Sequence, residues 1–312
     1  MTLLSKPWIW AYLAAALTFV PTAMLSQGVG GAWELVLAAL TFAAFSVLVG
    51  LGQMLVITMG PGNIDLSIPA TMTLAGTLSL KYMDGAAGTG AAGLAVALAV
   101  GLACGAGNYL LIRLLRIPPI IATLAASFLY QSLAIWSNRG LRIKPPAWLA
   151  DFATGAALGV PNVAVVAGLL AVLFWVLLER SVYGRWLSAI GQNQRAARLA
   201  GVPVDLVRMA TYLISAVMAA LCGFLLSCFS GGAALNMGAE YLLISIAVVV
   251  IGGSSIAGGN SNVPGIWGAS LFLFLIVSML NSYGLGAGVR LIMTGVIIIA
   301  IVAVASGSRR AS

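Results

Sequence analysis

The stretch "VAVVAGLLAVLFWVLLE", Val163 to Glu179, is free of charge until its last residue. Nothing in it alternates between apolar and polar. A strand of a membrane barrel would be about ten residues long with strict alternation, so this run reads as a helix lying in lipid. Runs of the same kind fill nearly the whole chain. Hydrophobic residues make up 62% of its 312 positions, charged ones only 7%, and the mean hydropathy is +1.09. A soluble domain carries about 25% charged residues. The fold class is therefore an all-α polytopic membrane protein.

A spanning helix needs about 20 apolar residues. By that measure the expected spans are Trp8–Met24, Leu35–Ile57, Ile64–Tyr82, Ala91–Ile112, Pro119–Trp136, Asn162–Leu178, Met209–Phe229, Tyr241–Ile251, Gly265–Ser282 and Val289–Ala305, about ten transmembrane helices. The first run is too long for a signal peptide and is followed by no convincing cleavage site, so it is expected to stay in the mature protein. Trp8, Trp10, Trp33, Trp136, Trp175 and Trp186 fall near span ends, as an interfacial aromatic belt requires.

The net charge of +8 does not point to nucleic acid, which needs a basic face on a soluble domain. The cations flank spans instead. With the N-terminus inside, Lys6, Arg113, Arg116, Arg180, Arg185, Arg195, Arg198, Arg208, Arg309 and Arg310 face the cytoplasm, against Lys81, Arg139, Arg142, Lys144 and Arg290 outside. Ten against five places both termini in the cytoplasm. The outer cluster of Arg139, Arg142 and Lys144 runs against the trend, and a re-entrant segment there would account for it. The Gly-rich segments Gly85–Gly93 and Gly231–Gly238 read as outer turns. Gly101, Gly105 and Gly107 are small residues that let helices approach closely.

Histidine is absent from the chain, which removes His-ligated haem, His-containing zinc sites and His general-base catalysis. Cys104, Cys222 and Cys228 lie within apolar runs, where free Cys behaves as a small buried hydrophobe.

Two segments break the apolar pattern. "GPGNIDLSIPATMTLAG" (Gly60 to Gly76) interrupts a helix with Pro61 and Gly62, and "GGSSIAGGNSNVPG" (Gly252 to Gly265) does the same in the second half. Backbone that leaves helical geometry at membrane depth is tolerated only inside protein or beside water. The likeness of these breaks, near 60–69 and 252–265, suggests two inverted-repeat halves, about 1–160 and 161–312, within a single transmembrane domain of 1–312. Asp65 and Ser67 are both good N-caps for the following helix, whose first turn accepts Pro69. Asp65 therefore either caps that helix and holds the turn, or lines or gates a polar passage, since acids inside membranes tend to be functional. Asn63, Ser67, Asn260 and Asn262 are the other candidates for the passage.

The connection from about 180 to 208 holds a short amphipathic helix. In "NQRAARLAGVP", Ala196, Leu199 and Ala200 recur at helical spacing, with Gln194, Arg195 and Arg198 on other faces. Gly201 suits the residue just past a helix end, and Pro203 the start of the next helix.

These motifs resemble those of a known family. "NIDLSIPATMTLAG" is similar to the "GIDLS-(V/I)-x-x-x-M-x-L-x-G" signature of permease subunits of ribose/xylose-type bacterial ABC sugar importers. "YGRWLSAIGQNQRAARLAGVPVDLVRMATYLISAVMAALCG" (Tyr183 to Gly223) and "AVVVIGGSSIAGGNSNVPGIWGA" (Ala247 to Ala269) resemble the same family, in order along the chain. The "GPGN" segment adds about three residues to the usual short Gly pair, which bears on the substrate more than on the fold. The resemblance implies a permease that works with two cytoplasmic ATPase subunits, a second permease (identical or paralogous) and a periplasmic solute-binding protein, in the bacterial inner membrane. It also implies that the 180–208 connection is a coupling loop, with polar contacts from Asn193, Arg195 and Arg198 and a turn at Gly201.

The source of energy fits that expectation. Lys6, Lys81 and Lys144 are the only lysines, and none sits in a G-x-x-x-x-G-K-[ST] context, so the chain lacks a P-loop. No cofactor is expected on this chain; ATP and Mg belong to the partner ATPase. Ion coupling needs acids within the spans, and Asp65 is the one strong candidate, because Glu240 suits the start of a helix beside Tyr241. A passage of Asn, Ser, Thr and backbone groups suits a neutral polyhydroxylated solute such as a monosaccharide or polyol. The alternatives are a branched-chain amino-acid-type ABC permease and a stand-alone ion-coupled transporter. Nothing resembles a nucleophile with its base, so an enzyme ranks last.

Overall fold

The computed structural model describes residues 7–25, 31–84, 88–138 and 143–284, with isolated positions between 286 and 299. Among them run α1 (Pro7–Leu25), α2 (Gly31–Thr58), α3 (Ile68–Met83), α4 (Gly90–Leu115), α5 (Pro119–Ser137) and α6 (Ala147–Thr154). A small hairpin, β1 (Ala156–Ala157) with β2 (Val160–Pro161), precedes α7 (Asn162–Arg180). The order then continues with α8 (Val182–Gln192), α9 (Gln194–Leu199), α10 (Val204–Phe229), α11 (Tyr241–Ile251) and α12 (Val263–Ser282).

Six of these, α2, α4, α5, α7, α10 and α12, are long and apolar enough to cross a bilayer. The apolar parts of α1 and α11 are shorter, and α3 has 16 residues. The expected last span lies largely outside the described residues, as do Lys6, Arg139, Arg142, Arg309 and Arg310.

Two helices form the centre. From Ala43 to Thr58 every residue of α2 is buried, as befits a helix that is hydrophobic all round. α2 packs against α7, α10, α11 and α12, while α10 packs against α2, α3 and α4. α5 lies outside α3 and α4, and α1 lies along α12. Outward faces carry bare apolar side chains such as Leu17, Phe128, Leu169 and Trp136. In water such a rim would be costly; against lipid it is expected. Gly101 and Gly105 bring α4 onto α10 backbone to backbone. A Cβ at Gly105 would stand 2.7 Å from the Leu213 Cα, and one at Gly101 would stand 2.9 Å from the Ala216 carbonyl oxygen.

Several expected boundaries shift. α10 begins at Val204 rather than Met209, because the charged Asp205 and Arg208 in its first two turns lower the local hydropathy and hide the helix there. α8 falls in the expected connection; its stripe of Leu187 and Ile190 is buried, which makes it an amphipathic helix. In α9, Ala197 is the buried residue and Leu199 is 90% exposed, so the apolar face drawn through Ala196, Leu199 and Ala200 points outward. The short α6 and the hairpin occupy part of the connection between α5 and α7.

The two breaks lie side by side. The Gly259 N–H donates to the Thr58 carbonyl at 2.9 Å, and Gly258 is pressed against Gly60. Both meet at the end of the bundle where α8 terminates.

Candidate functional site

Asp65 is fully buried where the first break meets α10. Its Oδ1 accepts from the Ser67 N–H at 2.9 Å and from the Ser67 hydroxyl at 2.6 Å, and its Oδ2 accepts from the Ser215 hydroxyl at 3.0 Å. Its own N–H donates to Gln53 Oε1 at 3.2 Å. Ser67 holds the N-cap position of α3, yet its side chain makes no cap bond because the hydroxyl is turned to Asp65. Asn108 Nδ2 donates to the Ser67 hydroxyl at 2.7 Å, and the Tyr130 hydroxyl donates to the Cys104 carbonyl at 2.8 Å beside Asn108 Oδ1. Thr123 accepts the Leu66 N–H at 3.0 Å. The carboxylate thus ties α2, the break, α4, α5 and α10 into one buried network. Buried charge is tolerated where donors converge on it, and here hydroxyl and amide donors replace water.

The other candidates lie elsewhere. Asn63 is buried, with Nδ2 donating to the Gly60 carbonyl at 3.1 Å and Oδ1 left without a protein partner. Asn260 is exposed, and its carbonyl accepts from the Ser255 N–H. The Asn262 N–H donates to the Ser254 hydroxyl at 3.0 Å at the start of α12. Asn63, Asn260 and Asn262 therefore gather around the meeting point of the breaks, while Asp65 and Ser67 sit apart in the network. Glu240 holds the N-cap position of α11 without a side-chain cap bond.

α8 and α9 form an arm at the same end as that meeting point. Asn193 separates them and caps α9, its Oδ1 accepting the N–H groups of Arg195 and Ala196, both at 3.0 Å. Gly201, at φ +84°, closes the helix: its N–H reaches the Arg198 carbonyl, and the Val202 N–H reaches that of Ala197. This is the paired-bond C-terminal motif that a left-handed glycine permits. Arg195 and Arg198 are exposed. Asp205 at the start of α10 pairs with Arg113 at 2.9 Å and with Arg198 at 4.0 Å. The Tyr183 and Thr211 hydroxyls bond at 2.8 Å, which joins α8 to α10. Burial pushes the Tyr183 phenol up to about 12, against the opposing effect of that bond, so it stays protonated.

At the other end a cavity of about 560 Å³ opens between α3, α5 and the 230–235 turn, with Thr77, Lys81, Ser137, Asn138 and Lys144 on its walls. Thr77 is buried there with its hydroxyl unpartnered. A volume of this order accommodates a small molecule.

A family model described as the branched-chain amino acid transport system / permease component matches residues 35–302. The chain belongs to this permease family. The permease is 33% identical over 252 residues to the galactofuranose transporter permease protein of Escherichia coli, covering 80% of this chain and 70% of that one. It is 31% identical over 276 residues to the ribose import permease protein of Bacillus subtilis, covering 85% and 82%. It is also 31% identical over 257 residues to a probable ABC transporter permease protein of Sinorhizobium fredii, covering 81% and 75%. No solved structure matches it.

Sequence reasoning finds Asp65 and Ser67 but not the residues on other helices that hold them. Gln53, Asn108, Thr123 and Ser215 are polar residues set within apolar helices of the permease. Intramembrane polar residues of that kind carry a signal of their own, and reading each as a partner for Asp65 would have located the network.

Proposed function

We propose that this permease is the membrane-spanning subunit of an ABC importer for a small neutral polar solute, a monosaccharide or polyol. The observation that carries the reading is the likeness, through most of the chain, to permeases named for ribose and galactofuranose. The cavity at the end opposite the arm offers hydroxyl and amide groups from Thr77, Ser137, Asn138 and Ser230, beside Lys81, Lys144 and apolar side chains. The finer architecture is a single domain of about ten spans with both termini cytoplasmic, in the bacterial inner membrane.

Cytoplasmic ATPase subunits carry ATP and Mg and dock on the arm, against Arg195, Arg198 and the exposed Leu199, with Asn193 and Gly201 fixing its shape. A second permease and a periplasmic solute-binding protein complete the importer. Asn63, Asn260 and Asn262 line the passage at its cytoplasmic end, and Asp65 with Ser67 holds the helix break that shapes it. Transport is then a two-state equilibrium biased by ATP and by the loaded receptor.

Reconstitution in liposomes with the ATPase and receptor subunits tests this. Sugar-loaded receptor is expected to raise ATP hydrolysis and drive uptake. Stimulation by a receptor loaded with branched-chain amino acid, or accumulation by this chain alone under an ion gradient, overturns the reading in favour of the respective alternative.

A further inference from the structure

Gly191 lies in the last turn of α8, where its backbone is pressed into the meeting point of the two breaks. A Cβ on Gly191 would lie 1.9 Å from the Thr58 carbonyl oxygen and 2.2 Å from the Gly259 nitrogen. One on Gly258 would lie 2.4 Å from the Gly60 Cα and 3.0 Å from the Gly191 carbonyl oxygen. The bond from the Gly259 N–H to the Thr58 carbonyl closes the group. Three segments remote in sequence thus meet backbone on backbone, with the Gln192 side chain lying against Gly259 at their edge. A contact between side chains yields to a small shift by changing rotamers; the backbone contact itself has no rotamers to change.

Beside the joint, α8 and the second break are held apart. A cavity of about 370 Å³ opens between them and the end of α7, with Ser188 and Gln192 on one wall and Asn260 and Ser261 on the other. Across that gap the glycine contact is the mechanical link. The arm is fastened in turn to the start of α10 by the Tyr183–Thr211 bond and the Arg198–Asp205 pair.

We propose that the joint of Thr58, Gly191 and Gly258–Gly259 makes the α8–α9 arm and both helix breaks one moving body, so that displacement of the arm by the ATPase reaches the passage directly. This rests on the importer reading above and names Gly191 as the positioning residue that couples its two ends. The joint transmits load rather than touching solute, so its loss separates ATP turnover from transport.

Two arms of one experiment test it in the reconstituted complex. Gly191→Ala forces α8 away from the breaks. It is expected to retain ATPase binding and basal hydrolysis while receptor-stimulated hydrolysis and uptake fall about tenfold or more. Gly168→Ala on α7, where a Cβ meets nothing within 4 Å, is the control and should behave as wild type. In the second arm, Ser188→Cys and Ser261→Cys are joined across the cavity by a short bifunctional thiol reagent. A single body tolerates that bridge, so uptake should stay within about twofold of the unbridged double variant.

Full stimulation in Gly191→Ala, or arrest of uptake on bridging, overturns the proposal. The bridge decides the matter if Gly191→Ala does not accumulate in the membrane. A wild-type complex that does not respond to loaded receptor at all instead removes the importer reading, a result distinct from either failure.

Discussion

Replacing Asp65 with Ala would strand the Ser67 N–H and the Ser67 and Ser215 hydroxyl protons in a buried site. Each stranded buried group costs about 1–3 kcal/mol, so Asp65→Ala is expected to lower the thermal midpoint in detergent sharply. Asp65→Asn keeps an acceptor oxygen for Ser67 and offers an N–H to the Ser215 oxygen, and should lose less. Equal midpoints for Asp65→Ala and wild type would remove the clasp role. As an acid alone in apolar sequence, Asp65 was visible from the start. Ser67 was visible beside it, but the partners on other helices were not, because Ser215 is 150 positions away and Asn108 stands 41 from Ser67. Pairing at that range is decided by how helices pack, which local pattern does not record.

At the scale of elements, the arm depends on its two ends. Asn193→Ala removes the cap of α9 at a cost of about 1 kcal/mol, and hydrogen exchange at the Arg195 and Ala196 amides should accelerate. Gly201→Pro asks a ring fixed near φ −65° to occupy φ +84°, so the end of α9 must unwind. Arg198→Glu replaces attraction to Asp205 with repulsion. Both variants should insert normally and lose receptor-stimulated hydrolysis; normal stimulation in both would remove the docking assignment. The turn at Gly201 was legible because glycine followed by Val-Pro marks a helix end. The inward face of α9 was not, because a helix of six residues offers more than one apolar face and only its packing selects Ala197.

For the whole molecule, sidedness is the open quantity. A cysteine replacing Leu199, 90% exposed on α9, should react with an impermeant thiol reagent only from the cytoplasm. One replacing Leu158, at the tip of the hairpin and fully exposed, should react only from outside. The reverse pattern would invert the topology. The long spans were legible because hydropathy alone marks a helix that must face lipid. The contact between the breaks was not, because it rests on glycine backbones that leave no periodic trace.

α11 has 11 residues; at 1.5 Å of rise per residue it covers about 16 Å, near half of the ~30 Å hydrocarbon layer. Polar turns take up the remaining depth on either side of it. The membrane voltage acts on any net charge that moves past it, by about 2.3 kcal/mol per elementary charge per 100 mV. An uncharged sugar carries no net charge for that voltage to act on. Uptake should therefore be unaffected by an imposed potassium diffusion potential, whereas a charged cargo would betray itself by responding.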